Sequence, residues 1–234
     1  MKNIGLLWIF FNLVFFTIHA QKDPKIEELE GYIEHINMKK GLDEKYSDIK
    51  GNPFYFNDFT KGSIYMKNDK RVDDVMLNYN KFEDEFFYIG DMDRKLVIGN
   101  PEDIQIISLN NTIFRYGFFQ NPQNEEQSGF LIVLEEGDCS LFKRVTTEFK
   151  DAEKGQAYSS PKPARFEDKE PQYYIKTGPS GSIRYINSFW KRRFLKTYFP
   201  NQKDELLKII KDNDLNLNKE EDLIRFVQLY NGIS

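Results

Sequence analysis

The stretch that decides the fold is residues 61–91, KGSIYMKNDKRVDDVMLNYNKFEDEFFYIGD. Residues 75–80 alternate, with Val75, Leu77 and Tyr79 on one face, and this period of two is typical of a half-buried strand. The links on either side of this run are rich in Asn and Asp, which favour turns because they tolerate left-handed backbone angles. The stretch therefore predicts three short strands joined by two polar turns, the start of a meander.

The same layout continues as far as residue 186. Further strands are predicted at 95–98, 104–109, 113–119, 130–134 and 140–149, followed by an extended surface excursion over 150–171 and a last hairpin over 173–186. No helical pattern separates these strands, and parallel strands would need long crossover connections. The sequence therefore predicts a mainly β protein, an antiparallel β meander that forms a sandwich or an open barrel.

A small C-terminal helical appendage is predicted over residues 187–234. Ser188 is a suitable cap for a first helix, which Pro200 ends. Residues 202–212 form a second helix, and a capping-box pattern that begins at Asn218 precedes a third. Because so short a tail cannot hold a core of its own, we expect it to pack on the β body.

The first 20 residues have the pattern of a secretory signal peptide. Lys2 supplies a positive start, residues 4–18 are almost entirely apolar, and Ala20 ends the run. The apolar run is shorter than the roughly 20 residues that span a bilayer. We therefore expect cleavage after Ala20 and an exported protein, periplasmic or secreted, with no transmembrane segment left; the alternative is an uncleaved anchor. Residues 21–60 then form an N-terminal helix and lead-in to a β body over 61–186.

The charge and the cysteine content restrict the classes of protein to which this chain can belong. The formal net charge is −4, or −5 once Lys2 is lost, which disfavours nucleic acid as a partner because nucleic-acid binding needs a basic surface. Cys139 is the only cysteine, so an internal disulfide is excluded. A buried, unreactive thiol is the interpretation we favour, because free Cys is among the most buried residue types. A reactive or intermolecular thiol is the alternative.

Few residues are suited to catalysis. Without the leader, His35 is the only histidine, which disfavours nucleophilic mechanisms that need a His base. Acids occur at the predicted turns, at 83–85 and at Asp91 and Asp93, where we interpret them as turn residues. A carboxylate-dependent, glycan-acting hydrolase and weak calcium binding are the alternatives. We assign no catalytic residue, no metal site and no cofactor from the sequence.

A row of aromatic residues is the first candidate for partner binding. Phe114, Tyr116 and Phe118 share one face of a predicted strand. Such a row is suited to stacking on sugars or docking a partner. It is more often the inner face of a sheet, because aromatic side chains pack well there, and this is the interpretation we favour.

The first helix of the tail is the second candidate. Trp190 lies beside Arg192 and Arg193, with Lys191 and Lys196 nearby. A basic helix that also carries aromatic residues is suited to an anionic membrane surface. For so short a helix we favour the alternative, a solvated face that covers buried rings.

Three segments carry a resemblance to known proteins: KGSIYM (61–66), VMLNYNKFEDEFFYI (75–89) and EEDLIRFVQLYN (220–231). Together they resemble uncharacterised exported β-rich proteins of the Gram-negative bacterial envelope, over residues 51–230. The resemblance implies a periplasmic or surface location, where the formal glycosylation sequon at Asn110 has no role. It implies no activity, ligand or site residue.

These observations favour an exported, non-enzymatic protein that binds a partner or supports an envelope assembly. An envelope protein or a glycan is the expected partner. The hydrolase described above is the alternative. A third hypothesis, a carrier of small ligands, requires a closed barrel with an apolar cavity.

Overall fold

The structure is a computed structural model that describes residues 46, 49–90, 93–153 and 160–233. The predicted signal peptide and the predicted N-terminal helix, with His35, lie outside these residues. The strands are β1 (Thr60–Met66), β2 (Arg71–Asn80), β3 (Glu85–Ile89), β4 (Lys95–Val97), β5 (Ile104–Leu109), β6 (Thr112–Gln120), β7 (Glu126–Glu135), β8 (Cys139–Arg144), β9 (Thr147–Lys150), β10 (Arg165–Asp168), β11 (Gln172–Thr177) and β12 (Arg184–Tyr185). The helices are α1 (Lys191–Tyr198), α2 (Lys203–Asp212) and α3 (Glu220–Asn231). The predicted mainly β fold with a C-terminal helical appendage is confirmed.

Ten strands form one sheet, in the order β12-β11-β8-β7-β6-β5-β1-β2-β3-β4. Strand β12 also pairs with β6, so that five strands close into a small barrel. This closure is a single parallel bridge between Arg184 and Gln120, whereas the other pairs in the sheet are antiparallel. The remaining strands, β5 and β1–β4, extend from the barrel, and we call them the extension. Strands β9 and β10 form a separate pair.

The side chains of β6 and β7 alternate between two core clusters, one inside the barrel and one outside it. Phe119 and Leu131 point into the barrel, which they fill together with Phe142 and Tyr174. The neighbouring side chains point outwards, into a larger cluster that the extension covers. Its members include Tyr79, Phe86, Phe114, Phe130 and Ile132. Each strand therefore contributes to both clusters because its side chains alternate between the two faces.

The three helices pack on the outer face of β8 and β11. Cys139, Leu141 and Ile175 are fully buried beneath them. The side-chain amide of Asn231, at the end of α3, accepts a hydrogen bond from the Cys139 N–H (2.8 Å) and donates one to the Cys139 carbonyl (2.9 Å). This amide satisfies two backbone groups in the way that a neighbouring strand would, and so holds α3 against the β7–β8 turn.

One carboxylate, that of Asp84 in the β2–β3 turn, joins the extension to the barrel. Its Oδ1 accepts hydrogen bonds from the Tyr79 hydroxyl (2.6 Å) and the Phe130 N–H (3.2 Å). Its Oδ2 accepts one from Arg144 Nη2 (3.1 Å), whose guanidinium also lies over the Phe119 ring. Burial and the neighbouring carboxylate hold the pKa of the Tyr79 phenol well above its ordinary value.

Local geometry explains why Asp84 fits at this place. Strands β7 and β8 pair from Ile132 and Lys143 onwards, so the Phe130 N–H lies just outside their ladder and needs another acceptor. Asp84 adopts a left-handed backbone (φ 56°), which Asp tolerates better than most residues. Gly129 leaves room for the carboxylate, because a Cβ there would lie 2.2 Å from Asp84 Oδ2.

Two predicted boundaries differ from the structure, and both differences lie around Asp168. The strand predicted over 140–149 is split into β8 and β9. The predicted excursion over 150–171 contains β10, which pairs with β9. Lys81 Nζ (2.5 Å) and the Thr147 hydroxyl both donate to Asp168, so partners distant in sequence draw β9 away from the barrel.

The predicted helix caps also differ from the structure. Helix α1 begins at Lys191 with Trp190 at the N-cap, and Ser188 instead accepts a hydrogen bond from the Trp190 N–H (3.4 Å). Helix α3 begins after Lys219, without a side-chain cap from Asn218. The observed N-caps lie two residues and one residue after the predicted caps, and shifts of this size are common at helix ends.

We predict that Asp84→Asn lowers the free energy of unfolding by about 2 kcal/mol, because it removes the charged partner of a largely buried Arg144. Asn tolerates the left-handed backbone, so strain does not contribute. Urea unfolding of Asp84→Asn and of the control Asp69→Asn, an exposed turn residue with φ 63°, measures the difference. The control is expected to change by less than about 0.5 kcal/mol; equal losses in both variants would contradict this role of Asp84.

Candidate functional site: the outer face of the first tail helix

Helix α1 is held firmly on the barrel by its inner face. Phe194, Leu195 and Tyr198 are buried against the cluster under the helices. The Tyr198 hydroxyl donates to the Tyr185 carbonyl (2.7 Å) and accepts from the Asn187 N–H (3.3 Å). The orientation of α1 is therefore fixed by β12, the strand that closes the barrel.

The outer face of α1 carries an exposed Trp and three exposed cations. Trp190, at the N-cap, is 81% exposed, and it is the most exposed large hydrophobic side chain among the described residues. Arg192, Arg193 and Lys196 are exposed on the side of the helix opposite its buried face. We call these four residues the Trp190 surface. Trp is on average a highly buried residue, so its exposure here calls for a physical explanation.

The charges of this surface are not arranged to stabilise the helix. The first turn of α1 contains no acid and two Arg residues, Arg192 and Arg193, although cations are unfavourable at a helix N-terminus. Arg192 and Lys196 are four residues apart, where like charges repel. By contrast, the first turns of α2 and α3 contain the acids Asp204, Glu205, Glu220, Glu221 and Asp222. None of the three exposed cations of α1 forms an ion pair with another described residue.

The predicted aromatic row does not form one surface. Phe114 is 1% exposed and packs in the core, against Tyr79 and Phe86. Tyr116 is half-buried, with its hydroxyl 3.0 Å from Ser128 Oγ. Phe118 alone is largely exposed, at 67%. The three residues share a strand face, as predicted. The extension covers Phe114 and Tyr116 but does not reach Phe118.

Phe118 lines a groove of about 340 Å³ at one end of the barrel. Its polar lining comes from Gln120, Glu126, Lys176 and Ser182. The nearby backbone groups are already used, because the Gln120 N–H donates to the Ile183 carbonyl (2.8 Å). The sequence does not identify this groove, since its walls come from β6, β11 and the loop before β12, which only the closure of the barrel brings together.

A second cavity, of about 370 Å³, lies beside the β1–β2 hairpin. Asp73 and Asp74 line it, and Asp73 accepts hydrogen bonds from the Ser63 hydroxyl and from Arg71 Nε (2.7 Å). The sequence gives no signal for these two acids, because they lead directly into the alternating run of β2. The carboxylate of Asp84, one of the acids at the predicted turns, is instead occupied by three donors.

The thiol of Cys139 is buried, as the favoured interpretation of the sequence expects, and is not placed as a reactive or intermolecular thiol would be. The residue has no exposed surface, and burial raises the pKa of its thiol to about 12. The thiolate is the reactive form of cysteine, so this thiol remains neutral and protected at ordinary pH.

Comparisons with protein-family models, with curated proteins and with solved structures found no match to this chain. Within the described ranges, no helix combines the length and apolar character needed to cross a membrane. The same ranges contain no group of three or more His, Cys, Asp or Glu side chains placed to hold a metal ion. The Trp190 surface must therefore be interpreted from its own geometry and charge.

We predict that native protein reacts negligibly with Ellman's reagent at about pH 8, because the Cys139 thiol is buried and protonated. Unfolding in guanidinium should release one reactive thiol per chain, and the absorbance of the reagent measures both states. Stoichiometric labelling of the folded protein would contradict a buried thiol.

Proposed function

We propose that this protein is exported and acts by binding an anionic partner in the bacterial envelope, through the Trp190 surface. The observation that carries the proposal is an indole 81% exposed beside three cations that have no described acidic partner. Trp and Arg are enriched among residues that dominate binding energy. Because the cations leave a local excess of positive charge on an acidic protein, the partner is expected to carry negative charge.

Export is supported by the N-terminal sequence, and the cysteine content is compatible with it. Lys2, the apolar residues 4–18 and Ala20 together fit a cleaved signal peptide. A single buried thiol is compatible with an oxidising compartment, because it has no internal partner and no exposure.

The fold supports binding at a rigid surface. The inner face of α1 is packed on the closed barrel, and Tyr198 ties it to the Tyr185 carbonyl. The backbone of a fixed helix loses little conformational freedom when it binds, so only the exposed side chains need to be ordered. The backbone that carries the Trp190 surface is therefore held in one orientation.

We predict that the exported chain begins at Gln21, because the expected cleavage follows Ala20. Intact-mass measurement of protein recovered from the periplasmic and secreted fractions tests this. Recovery of chain that retains Met1 in the membrane fraction would contradict cleavage and would favour the uncleaved anchor.

We predict that a photo-crosslinking amino acid, p-benzoylphenylalanine, captures the partner when it replaces Trp190 in living cells. The same substitution at Lys208, an exposed residue of α2, is the control and should capture much less. Adducts are read by gel and by intact mass, so that protein, glycan and lipid partners are told apart.

Charge variants test whether the cations carry this contact. Arg192→Gln/Arg193→Gln should abolish the adduct, whereas Lys208→Gln/Lys211→Gln removes the same charge from exposed positions of α2 and should preserve it. Both pairs are exposed, so their thermal unfolding is expected to match that of the parent protein within a few degrees. Adducts of equal yield from positions 190 and 208 would contradict a partner at the Trp190 surface.

A further inference from the structure

We propose that the anionic partner of the Trp190 surface is a phospholipid bilayer, which the indole enters at the level of the headgroups while the cations contact lipid phosphates. This inference rests on the proposed function and specifies its partner. It follows from three properties of α1: how its cations are spread, where its indole lies, and what its apolar face already contacts.

The positions of the three cations suit contact with a flat, negatively charged surface. At about 100° per residue, Arg192 and Lys196 are about 40° apart around the helix axis, and Arg193 lies about 100° from Arg192. The helix has 8 residues and is about 12 Å long, so these cations form a shallow outer face and do not converge on one point. Such a face can contact several headgroups of one planar surface at the same time, whereas a single small anion would need converging donors.

The indole distinguishes a bilayer from a soluble polyanion. Trp has an apolar body and a polar N–H, and it concentrates at the boundary between lipid headgroups and acyl chains. Trp190 is the N-cap residue of α1, so it comes directly before the turn that carries Arg192 and Arg193, and it is 81% exposed. A polyphosphate would neutralise the cations but would leave this ring in water, while an anionic bilayer accommodates both; an acidic polysaccharide, on whose sugars an indole can stack, is the alternative that the vesicle assay tests.

The apolar face of α1 limits how deeply it can enter a membrane. Phe194, Leu195 and Tyr198 are buried in the protein core, so they are not available to lipid. The contact is therefore one indole and three charges lying on the membrane, and not an inserted amphipathic helix. Binding is expected to be reversible, and to weaken as salt screens the charges.

The acidity of the rest of the protein favours one orientation at the membrane, with the cationic face of α1 towards the lipid. The whole chain has a formal net charge of −4, so an anionic membrane repels the protein as a whole and attracts it at the cationic face of α1. Zwitterionic lipid lacks the negative surface potential that attracts basic side chains. Binding should therefore depend on anionic lipid, and not on lipid alone.

The test uses the fluorescence of Trp190 itself. The chain contains two Trp residues, and Trp8 is either removed with the leader or replaced by Phe, so that Trp190 is the only indole. The protein is mixed with vesicles of phosphatidylcholine alone, or of equal parts phosphatidylcholine and phosphatidylglycerol. We expect a blue shift of the emission with the anionic vesicles only, and quenching when their acyl chains are brominated, because the ring lies at the boundary with the acyl chains.

Variants measure the contribution of charge in a vesicle co-sedimentation assay. Arg192→Gln/Arg193→Gln should weaken binding to the anionic vesicles about 30-fold, from the cost of removing two basic side chains near such a surface. The matched control Lys208→Gln/Lys211→Gln should bind within about twofold of the parent, although it removes the same charge. Trp190→Ala should bind more weakly than the parent and remain salt-sensitive.

Three results would overturn the membrane proposal. Absence of a blue shift with anionic vesicles is the first, and equal binding to both kinds of vesicle is the second. The third is binding to soluble polyphosphate, lost in Arg192→Gln/Arg193→Gln, without binding to vesicles; an anionic partner would then be retained and the bilayer rejected. The crosslinking from position 190 decides the proposed function separately, because it detects partners of every class.

Discussion

One largely buried carboxylate receives hydrogen bonds from three different strands and links the two parts of the fold. Asp84 receives hydrogen bonds from Tyr79 in β2, from the Phe130 N–H in β7 and from Arg144 in β8. The first belongs to the extension and the other two to the barrel, so this carboxylate adds a polar link between two parts that the β5–β6 ladder and a shared aromatic cluster also join. A left-handed turn at Asp84 and the missing side chain of Gly129 are both needed to seat the carboxylate. Because the network is largely buried, loss of one member leaves the others without their partner.

The closed barrel also determines where function can lie. Side chains fill its interior, which fits a packed core better than a ligand cavity, and the extension and the helices cover much of its outside. The helices fulfil their structural role with one face only, so the outer face of α1 is under no packing constraint. Its exposed indole and its unpaired cations are unfavourable for an isolated helix, and the proposed anionic partner would account for both.

The sequence predicts the parts of the structure that depend on neighbouring residues. The alternation of Val75, Leu77 and Tyr79 correctly identifies β2, and the fold class follows from a series of such runs. Closure of the barrel was not predictable, because it rests on one parallel bridge between Arg184 and Gln120 that leaves no periodic signal. The same limit applies to the aromatic row: Phe114 and Phe118 have the same periodicity, and only the coverage by the extension makes one core and the other exposed. This limit also applies to Trp190, because its exposure depends on how α1 packs on the barrel.

The most direct test of the central claim is native-state hydrogen exchange on the protected amides of β2, in the extension, and of β7, in the barrel. If Asp84 fastens the two parts into one unit, both sets of amides should share the same free energy of opening in the parent protein. They should separate in Asp84→Asn, with the extension opening first. Amides of the extension that already open at much lower free energy than those of the barrel in the parent protein would contradict the account, because the two parts would then be stable independently of Asp84.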